Sequence, residues 1–446
     1  MTEAVRAGPV SLAGTPQERA LLVLLKALQG HDVAWALTGS AAFALQGVPV
    51  GPHDIDVQTD EAGAYAIQSL FPGRVQRPVT LSEATNVRSH FGAITVEGVE
   101  VEIMGALQKR LPSGGWEPPV DVRALRIFVP WEGYQVPVLP LEYECGAYAR
   151  LGRYERAAEL RRFLRERAES GQVPAVQCST GPLASLVGGR WWDATATLKG
   201  VSLLAWPFVE LRLWQEWNQD FVDVARRVRQ AGADVLTVHA PPLEELLSVP
   251  GREDAAASML RRCADAAVAA DARAVVVHAW GLRLSGLDLG TLTANLTRAC
   301  GELSGRGLVL SIENIPGHSE ILPVVLEACP DLAVTVDTRW TVAEQSWDLM
   351  LSLAPRVNNI HVQTFLDVTD TGGGAGHVSL GRTSAGEFDL PGVLRAFLSR
   401  GFRGTVTLEA NNVPPHGDIH LRNALVMLRK LTVPHRATCR NHHCLA

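Results

Sequence analysis

Residues 308–338 read LVLSIENIPGHSEILPVVLEACPDLAVTVDT, and their pattern decides the fold of the C-terminal part of the chain. Two short apolar runs, LVLSIENI and LAVTVDT, flank a longer stretch, and each reaches a carboxylate near its end, Glu313 or Asp337. Short runs rich in Val, Ile, Leu and Thr read as strands. The unit recurs in type on both sides. VQCSTG, FVELRLW, VLTVHAP and AVVVHAW precede it; NNIHVQ and TVTLEAN follow. Amphipathic segments such as NQDFVDVARRVRQAG and AASMLRRCADAAVAADA lie between most of them. Strand–helix alternation implies a parallel sheet, and eight such units imply that it closes into a barrel. The C-terminal strand ends of a barrel share one mouth, where catalytic groups belong. Glu210, His239, His278, Glu313, Asp337, His361 and Glu409 all stand at such ends. Chain order alone gathers these titratable groups around one point. Among them Glu313, Asp337, His361 and Glu409 form an oxygen-rich donor set, which suits Mn, Mg or Co better than a structural Zn.

The first part of the chain follows a different pattern. ALLVLLKALQG reads as a helix, VAWALTG as a strand and SAAFALQG as a second helix; the strand DIDVQT follows a Pro- and Gly-rich loop. In FGAITVEGVEVEIMG the alternation of Val and Glu has period two, which puts Glu100 and Glu102 on one face of a hairpin. Asp54 and Asp56 also share a face, spaced to hold a divalent cation between them. Gly39-Ser40 stands at a strand-to-helix turn, where backbone can approach a phosphate and helical N–H groups are free. Glu102 offers a third carboxylate. Phosphoryl and nucleotidyl transfer need this equipment, metal ions and fixed donors around an in-line displacement. Leu141–Glu169 reads as one or two helices. Its arginines from Arg150 to Arg167 interleave with Glu155, Glu159 and Glu166, the pattern of a solvated helix face. A linker, SGQVP at 170–174, then separates a domain at 1–169 from one at 175–432, with a flexible tail at 433–446. Cys439, His442, His443 and Cys444 crowd that tail, where fraying is the expectation over a metal site.

Composition bounds these readings. The chain has 446 residues, a net charge of −6, 47% hydrophobic and 20% charged residues. That excludes wholesale disorder, a collagen-like fibre and a disulfide scaffold. No apolar run is long enough for a membrane span, and the N-terminus lacks the pattern of a secretory signal. The seven cysteines are odd in number and thinly spread, so a reduced, cytoplasmic protein is expected. Mild acidity argues against a large nucleic-acid surface.

Two resemblances follow from these residues. LTGSAAFALQGVPVGPHDIDV resembles the minimal nucleotidyltransferases of the DNA polymerase beta superfamily, over roughly residues 20–165. The resemblance implies a nucleoside triphosphate substrate with Mg, Gly39 and Ser40 at the triphosphate, Asp54 and Asp56 on magnesium, and Glu102 as third acid. Related sequences often carry a basic residue before the acidic pair, whereas this one has Gly51-Pro52-His53. VHAP, VVHAW, IEN, VDT, IHVQ, GHVSLGR and LEAN resemble the xylose isomerase-like barrels, which include sugar isomerases, epimerases and apurinic-site endonucleases. The fold implied is α/β: a smaller α+β nucleotidyltransferase-like domain followed by a (β/α)8 TIM barrel.

The isomerase branch implies one divalent ion (Mn, Mg, Co or Zn) on Glu313, Asp337, His361 and Glu409. Glu313 and Glu409 would be the acid–base pair, with His239, His278, His377 and Arg382 toward a sugar or sugar phosphate. The endonuclease branch gathers three zincs. Here two of its ligand positions read Trp340 and Ala375, and its glycine-rich phrase reads Leu380-Gly381-Arg382-Thr383. A phosphodiesterase acting on abasic DNA is therefore the alternative for the barrel, and a non-catalytic nucleotide-binding module the alternative for the first domain. Arg212 joins Arg382 as a candidate for meeting a phosphate or carboxylate. Trp191, Trp192, Trp206, Trp214 and Trp217 are candidates for ring stacking or core packing.

Overall fold

The computed structural model describes residues 12–111, 114–217, 219–279, 287–317, 319–369, 377–414 and 417–433, with backbone alone at Thr369 and His377. The chain forms two compact units, one built mainly from residues 1–164 and the other from 165 onward.

The first unit is a mixed sheet. Its strands are β1 (Trp35–Thr38), β2 (Ile55–Thr59), β3 (Val75–Glu83), β4 (Val87–Val96), β5 (Val99–Lys109), β6 (Ile127–Trp131) and β7 (Tyr134–Val138), in the order β3-β4-β5-β2-β1-β7-β6. The helix Pro16–Leu28 starts where Thr15 accepts from Glu18 N, and it buries Leu21, Leu24, Leu25 and Leu28 on one face. The Val–Glu alternation is the hairpin β4–β5, antiparallel with Val96 opposite Val99. Register fixes the acidic group: β2 runs parallel to β5 with Asp56 beside Glu102. The Arg-rich segment is the helix Tyr154–Glu169, which buries Ala157, Leu160 and Leu164. Strands β6 and β7 had no expectation in the sequence, because Pro130 and Pro137 lie within them. Proline is tolerated in strands at a sheet edge, where β6 lies.

The second unit is the barrel. β8 (Ala175–Ser179), β9 (Phe208–Arg212), β10 (Asp234–His239), β11 (Ala274–Val277), β12 (Val309–Glu313), β13 (Ala333–Asp337) and β14 (Val357–Thr364) follow in chain order. Four short strands come next: β15 (Asp367–Thr369), β16 (His377–Ser379), β17 (Arg382–Thr383) and β18 (Gly386–Glu387). β19 (Thr405–Ala410) then closes the ring between β14 and β8, and the eight barrel strands pair in parallel. They correspond one to one with the eight apolar runs of the sequence. The strands are buried on both faces, which is why they read as continuous apolar runs. Aspartates start the helices that follow: Asp193, Asp220, Asp288 and Asp389 each accept a first-turn backbone N–H. Among the described residues no helix is long and apolar enough to cross a membrane. The described cysteines, Cys145, Cys178, Cys263, Cys300 and Cys329, are buried. Ala375 and the tail with Cys439, His442, His443 and Cys444 lie outside the described residues.

Candidate active site

The barrel brings its strand-end residues together. Glu313 Oε2 lies 3.1 Å from His239 Nε2, 3.2 Å from His278 Nε2 and 3.3 Å from His361 Nδ1. His361 Nδ1 is also 3.8 Å from Glu409 Oε1. Asp337 completes the ring in two ways at once. Its Oδ1 caps the next helix, accepting from Arg339 N at 2.7 Å and Trp340 N at 3.2 Å. Its Oδ2 is buried and makes no hydrogen bond among the described residues, and the same holds for His361 Nδ1. Buried polar atoms left this way ordinarily have a partner. A cation is the partner this donor set fits: ligand atoms of Glu313, Asp337 and His361 lie within 4.8 Å of one another, as do those of Glu210, His361 and Glu409, and of His239, His278 and Glu313.

Glu210 stands behind His361. Its Oε2 lies 3.1 Å from His361 Nε2 and accepts from Thr237 Oγ1 at 2.8 Å and Asn359 Nδ2 at 3.1 Å. Both side chains of the dyad are fully buried. Glu244 faces His278 Nδ1 at 3.4 Å. Gln363 Nε2 donates to Glu409 Oε2 at 3.4 Å. The sequence marked Glu210 as a strand-end residue without a role, and it marked neither Glu244 nor Gln363.

Burial opposes charge on every group here, and the neighbours decide the outcome. Burial pushes Glu313 upward, yet the charges of His278 and His361 hold its carboxyl well below the usual range. Glu210 is likewise raised by burial and brought down to about 2 by His361. Burial lowers His361, but Glu210, Glu409 and Glu313 hold it well above an ordinary imidazole. His278 reaches about 9, because Glu313 and Glu244 outweigh burial. Asp337 is driven well above the usual carboxylate range by burial and by the charges of Glu313 and Glu409. A buried carboxyl under that pressure is what a divalent ion relieves.

Other expectations find their places. Arg382 is bound by Asp367 through two hydrogen bonds, one of 2.7 Å from Nε, and this pair is exposed. The side chain of His377 lies outside the described residues. Trp206 and Trp217 pack in the core, whereas Trp191 and Trp192 are 40% and 43% exposed and Trp214 is half-buried. Trp191 packs against Trp214 with ring centroids 4.4 Å apart and the rings tilted by 49°.

In the first unit Gly39 has φ +66°, and a Cβ there would sit 2.0 Å from Asp56 Oδ2. Only glycine lets the turn close over that carboxylate. Asp56 is pushed up to about 7 by burial and then by the charges of Asp54 and Glu102. Glu102 is raised by burial, Glu100 and Asp54. Ser40 is half-buried in the helix Gly39–Leu45. A fourth acid joins them that the sequence did not mark. Glu144 is buried on the helix Leu141–Arg150, accepts from the Thr38 hydroxyl, and is pushed up to about 7 by burial. Among the described residues, the three-donor clusters tight enough for one ion lie in the barrel.

A family model described as xylose isomerase-like TIM barrel matches residues 196–431. The chain belongs to the xylose isomerase-like TIM-barrel family. A second model, aminoglycoside-2''-adenylyltransferase, matches residues 20–164, so the barrel is preceded by a nucleotidyltransferase-like domain. Among solved structures, a Thermotoga maritima nucleotidyltransferase is 48% identical over 34% of this chain and 93% of its own, with a TM-score of 0.30. The barrel is similar to an AP endonuclease from Brucella melitensis (17% identity, 56% and 98% coverage, TM-score 0.43). It is also similar to a D-allulose 3-epimerase from a Methylomonas species (12% identity, 58% and 98%, TM-score 0.46). No curated protein matches the chain.

Proposed function

We propose that the barrel is a divalent-metal-dependent sugar or sugar phosphate isomerase or epimerase. One observation carries this reading: the open, buried Asp337 Oδ2 and His361 Nδ1 face the same mouth as Glu313 and Glu409. These four residues would hold the ion (Mn, Mg, Co or Zn). Bound there, it would polarise a sugar carbonyl and acidify the adjacent C–H. The chain's own groups do the rest. Glu313 and Glu409, beside the same imidazole nitrogen, are the acid–base pair: one takes the proton from the carbon next to the carbonyl, the other returns a proton. Glu210 holds His361 from behind. His239 and His278 hold Glu313 and face the substrate hydroxyls. The protein acts in the cytoplasm.

Metal content of the gently purified protein tests this, beside a Glu313→Gln/His361→Ala control. About one Mn, Co or Mg per chain, absent from the control, supports the reading. No metal under any loading condition overturns it.

The His239–His278–Glu313 cluster favours one other reading, in which a second cation makes the barrel a phosphodiesterase on abasic DNA. Two or more zincs, with cleavage lost on His278→Ala, would establish it. For the first domain the reading is nucleotidyl transfer. Asp54, Asp56 and Glu102 would hold Mg; Ser40 and the amides after Gly39 would meet the triphosphate. Calorimetric titration with ATP, CTP, GTP and UTP plus Mg²⁺ tests it. Heat without turnover would leave a nucleotide-binding module, and no heat with any of them would end the nucleotide reading.

A further inference from the structure

Two arginines stand on the rim of the barrel mouth. Arg212 ends β9; its Nη1 lies 3.5 Å from Glu409 Oε1, and its guanidinium sits 4.8 Å from the ring centre of Trp214. Arg339 follows Asp337 and sits 4.1 Å from the ring centre of Trp340. Its Nη1 donates to Gln363 Oε1 at 3.3 Å, and Gln363 in turn reaches the other oxygen of Glu409. The two guanidiniums therefore address Glu409 from its two sides, one directly and one through an amide. Both arginines are half-buried.

An indole face fixes the plane of each guanidinium. The side-chain bonds above use one of its five N–H donors. A held guanidinium with donors to spare is the group best suited to a planar or tetrahedral oxyanion. Arg382, by contrast, is already bound by Asp367.

We infer that Arg212 and Arg339 form a clamp that selects a sugar carrying an oxyanion, a phosphate ester or a carboxylate, over a neutral sugar. The inference rests on the isomerase or epimerase reading of the same mouth.

Two measurements on the full chain separate the inference from that reading. The first titrates tryptophan fluorescence with inorganic phosphate at constant ionic strength, because Trp214 and Trp340 touch the two guanidiniums. Wild type should show a saturable change. Arg212→Gln and Arg339→Gln should each weaken it roughly tenfold or more, the loss of a charge-assisted hydrogen bond, with the Lys variants in between. No saturable response in wild type, or one unchanged in both Gln variants, overturns the clamp. The second follows C–H exchange in D2O by NMR with the Mn-loaded chain on D-fructose, D-fructose 6-phosphate and D-fructuronate. Faster exchange of the ester identifies a phosphate, and faster exchange of the keto acid a carboxylate. D-fructose exchanging as fast as both overturns the clamp and leaves the isomerase reading intact. Saturable phosphate binding without exchange of any sugar keeps the anion site and removes the isomerase reading.

Discussion

Replacing Glu210 by Gln removes one negative charge from behind His361 while keeping the shape of its pocket. Three donors converge on Glu210 Oε2: Thr237 Oγ1 at 2.8 Å, Asn359 Nδ2 at 3.1 Å and His361 Nε2 at 3.1 Å. A Gln carbonyl oxygen can accept all three. Its amide nitrogen then takes the place of Oε1, which makes no hydrogen bond among the described residues. Ala removes the acceptor altogether and strands three buried donors. A hydrogen bond to a charged group contributes about 1.5–3 kcal/mol. Groups behind a metal-bound imidazole change metal affinity about 10–100-fold, or about 1.4–2.8 kcal/mol, so the two magnitudes agree. Mn²⁺ should bind about tenfold more weakly to Glu210→Gln and nearer 100-fold more weakly to Glu210→Ala. The Ala variant should also lose roughly 3 kcal/mol of stability from its unpaired donors. Isothermal titration of Mn²⁺ into metal-free protein at fixed pH reads the first effect, and thermal unfolding the second. Wild-type affinity in Glu210→Gln would refute the reasoning, since His361 would then not be oriented through Nε2. Complete loss in Glu210→Gln, equal to that of an Asp337 variant, would make Glu210 itself a ligand.

Asp337→Asn keeps the helix cap on Arg339 and Trp340 and removes a carboxyl that burial, Glu313 and Glu409 all strain. Differential scanning fluorimetry should show a metal-free melting point at or above wild type. Mn²⁺ at about 100 times its Kd should add about 2.7 kcal/mol to wild type and nothing to the variant. Glu144 binds its proton more tightly folded than unfolded, with a folded pKa near 7. Its contribution to stability should therefore fall as pH rises from about 4.5 to about 7, by roughly 3 kcal/mol. Glu144→Gln, which can still accept from the Thr38 hydroxyl, should flatten that slope in urea unfolding; an unchanged slope would remove Glu144 as its source. Gly39→Ala should cost at least about 1–2 kcal/mol from the left-handed backbone alone. It should also displace Asp56 and weaken Mg²⁺–nucleotide binding, and unchanged stability in denaturant would count against the turn.

Much of the barrel was legible because its chemistry is linear. Each parallel strand contributes one short apolar run, and seven of the eight runs carry a titratable residue near their end. Reading Glu313, Asp337, His361 and Glu409 in order therefore amounts to reading around the ring. Residues that act on other side chains leave no such trace. Arg339 looks like any helix-start arginine until Trp340, Gln363 and Glu409 are seen beside it. Glu144 sits in a run of Leu, Glu and Tyr with nothing to mark it. It meets Thr38 because the helix Leu141–Arg150 returns over the end of β1, a contact between residues 106 apart. In the same way β6 hid behind its proline, since nothing local says that a strand will be an edge.

The floor of the barrel explains why Glu210 can be buried at all. Gln177 Nε2 donates to Thr237 Oγ1 at 2.8 Å and to Thr407 Oγ1 at 2.7 Å. Thr237 donates its hydroxyl hydrogen bond to Glu210; Thr407 donates to Asn359 Oδ1 at 2.8 Å, and Asn359 donates to Glu210. Both branches of this ring run from Gln177 and end on the same carboxylate oxygen. Donors aligned in one direction polarise one another, so the network favours the ionised form of Glu210 over the neutral one. An ionised Glu210 accepts and never donates, which places a proton on His361 Nε2 and turns Nδ1 toward the mouth. Polar residues on β8, β10, β14 and β19, none of them proposed as metal ligands except His361, thus determine which face of that imidazole is offered to a cation.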